Sequence, residues 1–303
     1  MIIKLMFSLS IIVSAEIIIL FIRAGGTYDA IRNIVVHKHI YLGWGGANHV
    51  GAILALCIPA NFYYMLKCKK IGFAFVIIAF IQFCLMIMTR SRGALLFTTA
   101  ALPIMFIYVM VKSKRKLPIG ITAAVLIAGT LAMMLIFKNS ISDGINIMLA
   151  QGFDDSGRFE LWKQGLDYFK NYPIFGVGWD IGVDPDDLGW SPLTFHAMFI
   201  QIMASAGVVG MVFFAYYYWA RYSTFFRRRT NETWTVLAGM LLLEAYGMID
   251  PISLFPTTYF LMLVMMSLAA EQAMPDDMNR PILFVKQPWK NWTINMKARK
   301  NKA

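Results

Sequence analysis

Ile71-Gly-Phe-Ala-Phe-Val-Ile-Ile-Ala-Phe-Ile-Gln-Phe-Cys-Leu-Met-Ile-Met88 runs for eighteen residues without a charge. A helix rises 1.5 Å per residue, so a run of this length approaches the roughly 30 Å of a bilayer's hydrocarbon core. Only Thr89-Arg90-Ser91-Arg92 separates it from a second apolar run at 93–111. Reading outward gives further runs at 46–66, 5–22, 117–137, 196–220, 234–249 and 254–270, eight in all. Backbone groups in lipid must be satisfied within the segment, so these runs read as helices. The period-2 alternation of a membrane barrel is absent. The expected fold is all-α: a polytopic membrane protein of about eight transmembrane helices.

Composition agrees. The chain is 58% hydrophobic and 15% charged, with mean hydropathy +0.59. Ordinary soluble domains are about 45–50% apolar and about 25% charged. The Lys and Arg residues alternate in density between successive connections. Nineteen of the 28 fall at residue 4, in 67–70, 112–116 and 221–229, and in the tail, against nine in the alternate segments. The basic side is cytoplasmic by the positive-inside trend, which puts both termini there. The net charge of +11 is thereby a topology signal and does not point to nucleic acid. Residues 1–270 read as a single membrane domain and 271–303 as a basic cytoplasmic tail against the inner leaflet. The first apolar run is long and ends in Arg23-Ala-Gly-Gly26, a poor cleavage site, so it reads as a retained helix. Cys57, Cys68 and Cys84 lie in spans or a cytoplasmic connection and suggest no disulfide framework.

The one long polar connection, 138–195, lies between the fifth and sixth spans and is placed outside the cell. It carries nine acids against four basic residues, the reverse of the chain as a whole. Within it stand Arg158-Phe-Glu-Leu-Trp162 and Pro173-Ile-Phe-Gly-Val-Gly178, and it ends at His196. A cation, a Gly-containing turn and an imidazole on one loop suggest chemistry at the membrane surface. Arg90 and Arg92 sit at an outer hairpin against the charge trend. Either they snorkel to headgroups, or their planar forks bind phosphate, which a diphosphate would engage more than once. Segment 23–45 reads as a wet polar loop with His37-Lys-His39. Asn48 and His49, after Trp44-Gly-Gly-Ala47, either cap and flank a helix start or line a site. Glu16 and Glu244, inside apolar runs, are either functional or structurally paired. Asp184-Pro-Asp186-Asp187 lacks the spacing of a Ca²⁺ loop and reads as solvated surface. Walker, dinucleotide, zincin and nucleophile-elbow motifs are absent, as is an internal repeat.

Four pieces, in order, resemble the O-antigen ligase and polymerase family of bacterial membrane glycosyltransferases. They are Gly45-Gly-Ala-Asn48, Thr89-Arg90-Ser91-Arg92-Gly93, the pair Arg158-x-x-x-Trp162 and Pro173-Ile-Phe-Gly-Val-Gly178, and His196-x-x-x-Ile-Gln201 followed by Ala206-Gly207-Val-Val-Gly210. Together they span about residues 45–215. Two features depart from the family pattern: Ala197 stands where Asn or Ser is usual, and eight spans are fewer than usual, which fits a shortened member, a fragment with a late start or a member that needs a partner.

The resemblance implies transfer of a saccharide from a polyprenyl diphosphate carrier to an acceptor hydroxyl on the outer face of the bacterial inner membrane. On that reading His196 is the general base or orients the acceptor, and one of the loop acids is the alternative base. Arg158, Arg90 and Arg92 hold the diphosphate, Asn48 lines the cavity, and Gly176 and Gly178 turn the loop. The partners implied are the lipid-linked oligosaccharide, a glycan or lipid-linked acceptor, the bilayer and the polysaccharide assembly machinery. No metal and no cofactor are called for. The alternative class is a non-catalytic flippase, or an export or assembly subunit. It predicts ionisable groups spread through several spans.

Overall fold

The computed structural model describes residues 2–68, 70–136, 157–179, 195–227, 230–250 and 261. Among them the regular structure is helical, with one isolated bridge between Leu42 and Gly45. In chain order the helices are α1 (Ile2–Arg23), α2 (Tyr28–Val36), α3 (Ala47–Cys57), α4 (Pro59–Lys67), α5 (Gly72–Met88), α6 (Arg92–Lys112), α7 (Lys116–Ile136), α8 (Arg158–Asn171), α9 (Met198–Arg227) and α10 (Asn231–Gly247). Among the described residues four stretches are long and apolar enough to cross a membrane by length and composition: Ile2–Arg23, Ala47–Lys67, Arg92–Lys112 and Met198–Ser223. Shorter apolar helices occupy Gly72–Met88 and Lys116–Ala132. The expected run at 254–270 and the tail lie outside the described residues, apart from residue 261.

The centre of the bundle is the α3–α4 segment. Val50 and every residue from Ala52 to Ile58 are at most 1% exposed. Pro59 starts α4 without a backbone donor, while Ile58 N–H still bonds Leu54 O at 2.8 Å. One apolar run is thus divided into two helices. Gly239 of α10 lies so close to Leu56 O that any Cβ would clash, a small residue permitting helix backbones to approach. In α1, Met6, Leu9, Val13 and Ile17 follow the 3–4 spacing of a buried stripe. The opposite face shows Ile11, Ile12, Ile18 and Ile19. A helix apolar on its outer face as well suits hydrocarbon surroundings.

Two segments read as polar connections contain helices. In the 23–45 stretch, Thr27 Oγ1 caps α2 by accepting from Ala30 N–H, and Ile31, Ile34 and Val35 pack one face on the core. In the 138–195 stretch, α8 packs on α9, with Gly165 against Ile200 and Phe195. Both helices are short and mixed in polarity, so no long apolar run marks them.

The apolar run expected as one rod at 196–220 is broken. Gly207 has φ 60° and ψ −158°, a conformation essentially reserved for glycine. Beyond it the chain folds back. Tyr218 OH lies 3.4 Å from Met198 Sδ, and the Phe199 and Phe214 rings meet edge to face at 6.4 Å. A straight helix would separate positions 198 and 218 by about 30 Å. The Pro173–Gly178 segment fills the break. Pro173 O and Ile174 O accept from Val208 and Val209 N–H, and Val177 and Gly178 N–H donate to Ala204 O and Ser205 O. Two orphan amides and two orphan carbonyls at the break are thereby satisfied by one loop.

Several polar groups inside the bundle are paired, although Thr98 Oγ1 is buried without a hydrogen-bond partner among the described residues. Arg221 and Glu244 form a buried salt bridge, with Tyr218 donating to the same carboxylate. Trp44 Nε1 donates to Glu16 at 2.7 Å. Asn61 and Gln82 join at 2.7 Å, and Gln82 donates to Ser10 at 2.8 Å, linking α4, α5 and α1. Of the two readings open for Glu16 and Glu244, the geometry shows structural pairing in both.

A candidate anion and acceptor site at one end of the bundle

Three chain segments meet at the end of the bundle that holds the start of α3, the α5–α6 turn and the end of α10. Gly51 of α3 makes the meeting close: a Cβ there would lie 2.7 Å from Ser91 Cβ and 3.0 Å from Thr89 Oγ1. Ser91 Oγ donates to Tyr246 OH at 2.8 Å, and Gly93 leaves room for the Tyr246 ring. Thr89 and Ser91 are fully buried, so the turn that carries Arg90 and Arg92 is anchored from both sides.

Asp250, three residues beyond α10, is 4% exposed. One of its oxygens accepts from Asn48 Nδ2 at 3.0 Å, and the other lies 3.7 Å from His196 Nδ1. Asn48 is therefore not the cap of α3: Gly46 holds that position, and the Asn48 side chain is committed to Asp250. His196 has φ 46°, a left-handed backbone that is uncommon for a non-glycine residue. That geometry sets its ring directly before α9, with the side chain 38% exposed beside an Asp250 side chain of only 6%. A buried carboxylate with an exposed imidazole is an asymmetric pair: the acid is fixed and the imidazole remains accessible.

The cations gather around this pair. Arg90, at φ 53°, donates to Val36 O at the end of α2. Lys38, at φ 54°, follows two residues later. Burial, then the charges of Arg92, Arg90 and Arg158, hold the Lys38 ammonium below its ordinary range, opposed by Asp250. Arg158 opens α8 after Gly157 at φ 75° and, like Asp250, acts electrostatically on Tyr246. Asn48, Arg90, Arg92, Arg158 and His196 thus share one neighbourhood. Gly176 and Gly178 are placed at the α9 break. A Cβ on Gly176 would lie 2.4–2.5 Å from the backbone of 204–206, while Gly178, at φ 97°, has open space around it.

Two members of the cluster were not singled out from sequence as site residues. Lys38 sits between two histidines that draw attention to themselves. Asp250 follows the last residues of an apolar run, where an acid reads as a flank. Its one local signal is the Pro251 that follows, which stops the helix. Among the described residues no three His, Cys, Asp or Glu side chains are grouped to hold a metal ion. His37 instead bonds Asn33 O at 3.0 Å and stacks on His39 at 5.5 Å.

The architecture is a helical bundle with helices long and apolar enough to cross a membrane, and Arg90, Arg92, Arg158 and His196 are collected at one end of it. Residues 74–215 match the family model described as O-antigen ligase, and the match supports the O-antigen ligase/polymerase family for this chain. The matched stretch includes Arg90, Arg92, Arg158, His196 and the Gly207 break, and stops short of Asn48 and Asp250. No curated protein matches the chain. The match suggests a membrane glycan function of the O-antigen ligase or polymerase type.

Proposed function

We propose that this protein transfers a saccharide from a polyprenyl diphosphate to an acceptor hydroxyl on the outer face of the bacterial inner membrane, in cell-surface polysaccharide assembly. The observation that carries the reading is the His196–Asp250 pair, with Lys38 within electrostatic reach of Asp250 and of Arg90, Arg92 and Arg158. Four cations in one neighbourhood repel one another, and a diphosphate relieves that repulsion. Guanidinium forks match phosphate oxygens bidentately and do not titrate.

In the step proposed, the acceptor oxygen forms a bond to the anomeric carbon. The bond from that carbon to the diphosphate oxygen breaks, and its electron pair leaves with the polyprenyl diphosphate. The acceptor proton passes to His196. With Nδ1 turned to Asp250, Nε2 is the nitrogen left for the acceptor, and the carboxylate stabilises the imidazolium that forms. The arginines stabilise charge that develops on the leaving group. Asn48 holds the second oxygen of Asp250 and so fixes the pair's orientation. Gly176 and Gly178 fasten the Pro173–Gly178 loop to α9, which begins two residues after His196.

The flippase reading calls for ionisable groups along a path through the spans. Glu16 and Glu244 already have partners, in Trp44 and in Arg221 with Tyr218, which favours a one-ended site.

The test is transfer by the purified chain in nanodiscs, given a polyprenyl-diphosphate-linked oligosaccharide and a panel of glycan and lipid-linked acceptors. Release of polyprenyl diphosphate with a lengthened or transferred glycan is expected, and its loss in His196→Ala and Arg158→Ala. Donor binding with no product for any acceptor would overturn the enzyme reading in favour of transport or assembly.

A further inference from the structure

The helices that carry the arginine cluster at one end carry a second, unrelated feature at the other. The segment Ala47–Lys67 begins beside Asp250 and ends among lysines; α5 and α6 turn at Arg90 and diverge to Gly72 and Lys112; α10 runs from Asn231 towards Asp250. A 21-residue helix is about 30 Å long, so the two ends lie at opposite faces of a bilayer-sized slab.

At this second end lies a cavity of about 220 Å³ whose lining includes Lys70, Lys112, Lys114 and Arg115. Among the described residues none of the four is paired with a carboxylate. Beside it is a groove of about 210 Å³ between α4, α6 and α10, lined largely by apolar side chains such as Phe62, Ile104, Met105, Trp234 and Ala238. Leu66 and Asn231 line both, so the two are contiguous. Tyr108 OH donates to Asn231 Oδ1 at 2.9 Å and ties α6 to α10 at the junction. Ile104 is 70% exposed on the outer surface of the bundle, so the groove opens toward the surrounding hydrocarbon.

We propose that this composite pocket binds an anionic phospholipid of the membrane leaflet on the basic face, with its phosphate among Lys70, Lys112, Lys114 and Arg115 and an acyl chain along the α4–α6–α10 groove. The cations alone would suit any phosphate. The adjoining groove selects a phosphate that carries a hydrocarbon chain, because methylenes laid against Ile104 and Met105 gain close van der Waals contact that a free phosphate cannot make. A zwitterionic headgroup brings its own cation to a site that already has four. A net-negative headgroup does not. The proposal is independent of the transfer reaction, since no residue of this pocket belongs to the arginine cluster.

The experiment is native mass spectrometry of the full chain released from bilayers of phosphatidylcholine and phosphatidylglycerol in equal parts. Retained phosphatidylglycerol above its bulk share is expected. Each cation near an anionic surface contributes about 1 kcal/mol of attraction, so Lys114→Gln and Arg115→Gln should each lower retention roughly fivefold. Both residues are exposed, so neither change disturbs packing. Ala238→Trp fills the groove and should lower retention with all four cations intact. Retention equal to the bulk ratio, or unchanged in Lys114→Gln and Arg115→Gln, would overturn the proposal. So would full retention in Ala238→Trp together with displacement of the lipid by inorganic phosphate, which would make the pocket a site for free anions.

Discussion

The carboxylate of Asp250 stands between two side chains from distant parts of the chain, accepting from Asn48 at 3.0 Å and lying 3.7 Å from His196 Nδ1. Neither neighbour is near it in sequence, and the first lies some 200 positions away. On the function proposed above, the buried acid is the group that orients His196 as base and stabilises its protonated form.

Asp250→Asn keeps the size of the side chain and can still receive the Asn48 donor. It removes the negative charge that faces His196. Transfer should fall mainly in kcat, with KM for the lipid donor little changed, because the diphosphate contacts are untouched. Loss of a general base is worth roughly 10²–10⁴-fold, so a fall of at least tenfold is expected for its orienting partner. Equal kcat in Asp250→Asn and wild type would remove Asp250 from the mechanism. Asn48→Ala should fall in the same direction by less, since Asp250 keeps its charge.

Lys38 gives a prediction of opposite sign for stability and for binding. Its folded-state affinity for a proton is lowered by burial and by three arginines. A lysine so placed costs stability wherever it is protonated in both states. The cost is present in full below the lowered folded value and disappears as pH rises towards the ordinary 10.5. Lys38→Gln should therefore raise the thermal midpoint of the ligand-free protein at pH 7, and the gain should shrink in alkaline buffer. The same change should weaken binding of a polyprenyl diphosphate. A lowered midpoint together with unchanged donor affinity would show that the cluster is not poised for an anion.

The α9 break makes three glycines separable. Gly207→Ala meets both a forbidden backbone conformation and Ile174 O at 2.5 Å; Gly176→Ala meets φ 69° and the backbone of Ser205 at 2.4 Å; Gly178→Ala meets only its φ of 97°. Left-handed strain costs on the order of 1–3 kcal/mol, so all three should destabilise, with Gly178→Ala mildest. The double variant of Gly176 and Gly207 should cost less than the sum of its parts, because either change already opens the same loop–helix contact. Additive losses in thermal unfolding would mean that the two glycines do not share one contact.

Much of this fold is legible in the sequence, and the parts that are not share a cause. Apolar runs at 71–88 and 93–111 announce α5 and α6 because a bilayer demands length and hydrophobicity from each segment independently. Arg90 and Arg92 stand out because they oppose the charge trend, Arg158 because it stands before Trp162 and a glycine turn on the long polar loop, and His196 because it follows that loop. The α9 break does not stand out. Apolar composition continues through residues 198–220, and what bends the chain is a set of carbonyls and amides supplied by Pro173–Gly178. Helices α2 and α8 depend on packing of a few residues, such as Ile31 and Gly165, that no long run marks. Asp250 becomes meaningful only when α3 and α9 are brought to it.

Arg221 and Glu244 supply the last prediction. The pair is almost fully buried, and the guanidinium is further surrounded by Tyr217, Tyr218 and Tyr222, with ring centres 4.4–5.1 Å away. Sequence placed Arg221 at a cytoplasmic flank; the structure puts it inside the bundle against an acid of α10. Removing one partner strands a charge in a low-dielectric interior, which costs about 3–5 kcal/mol. Arg221→Met alone and Glu244→Leu alone should each lower the thermal midpoint sharply. The double variant replaces both charges with apolar groups and should recover much of the loss, since the penalty lies in the unpaired charge. Donor affinity, measured on whatever fraction remains folded, should be near wild type in the double variant, because the Arg221 guanidinium is already committed to Glu244 and is not among the cations proposed to hold the diphosphate. A double variant that is stable yet has lost donor binding would instead place Arg221 among the groups that hold the diphosphate.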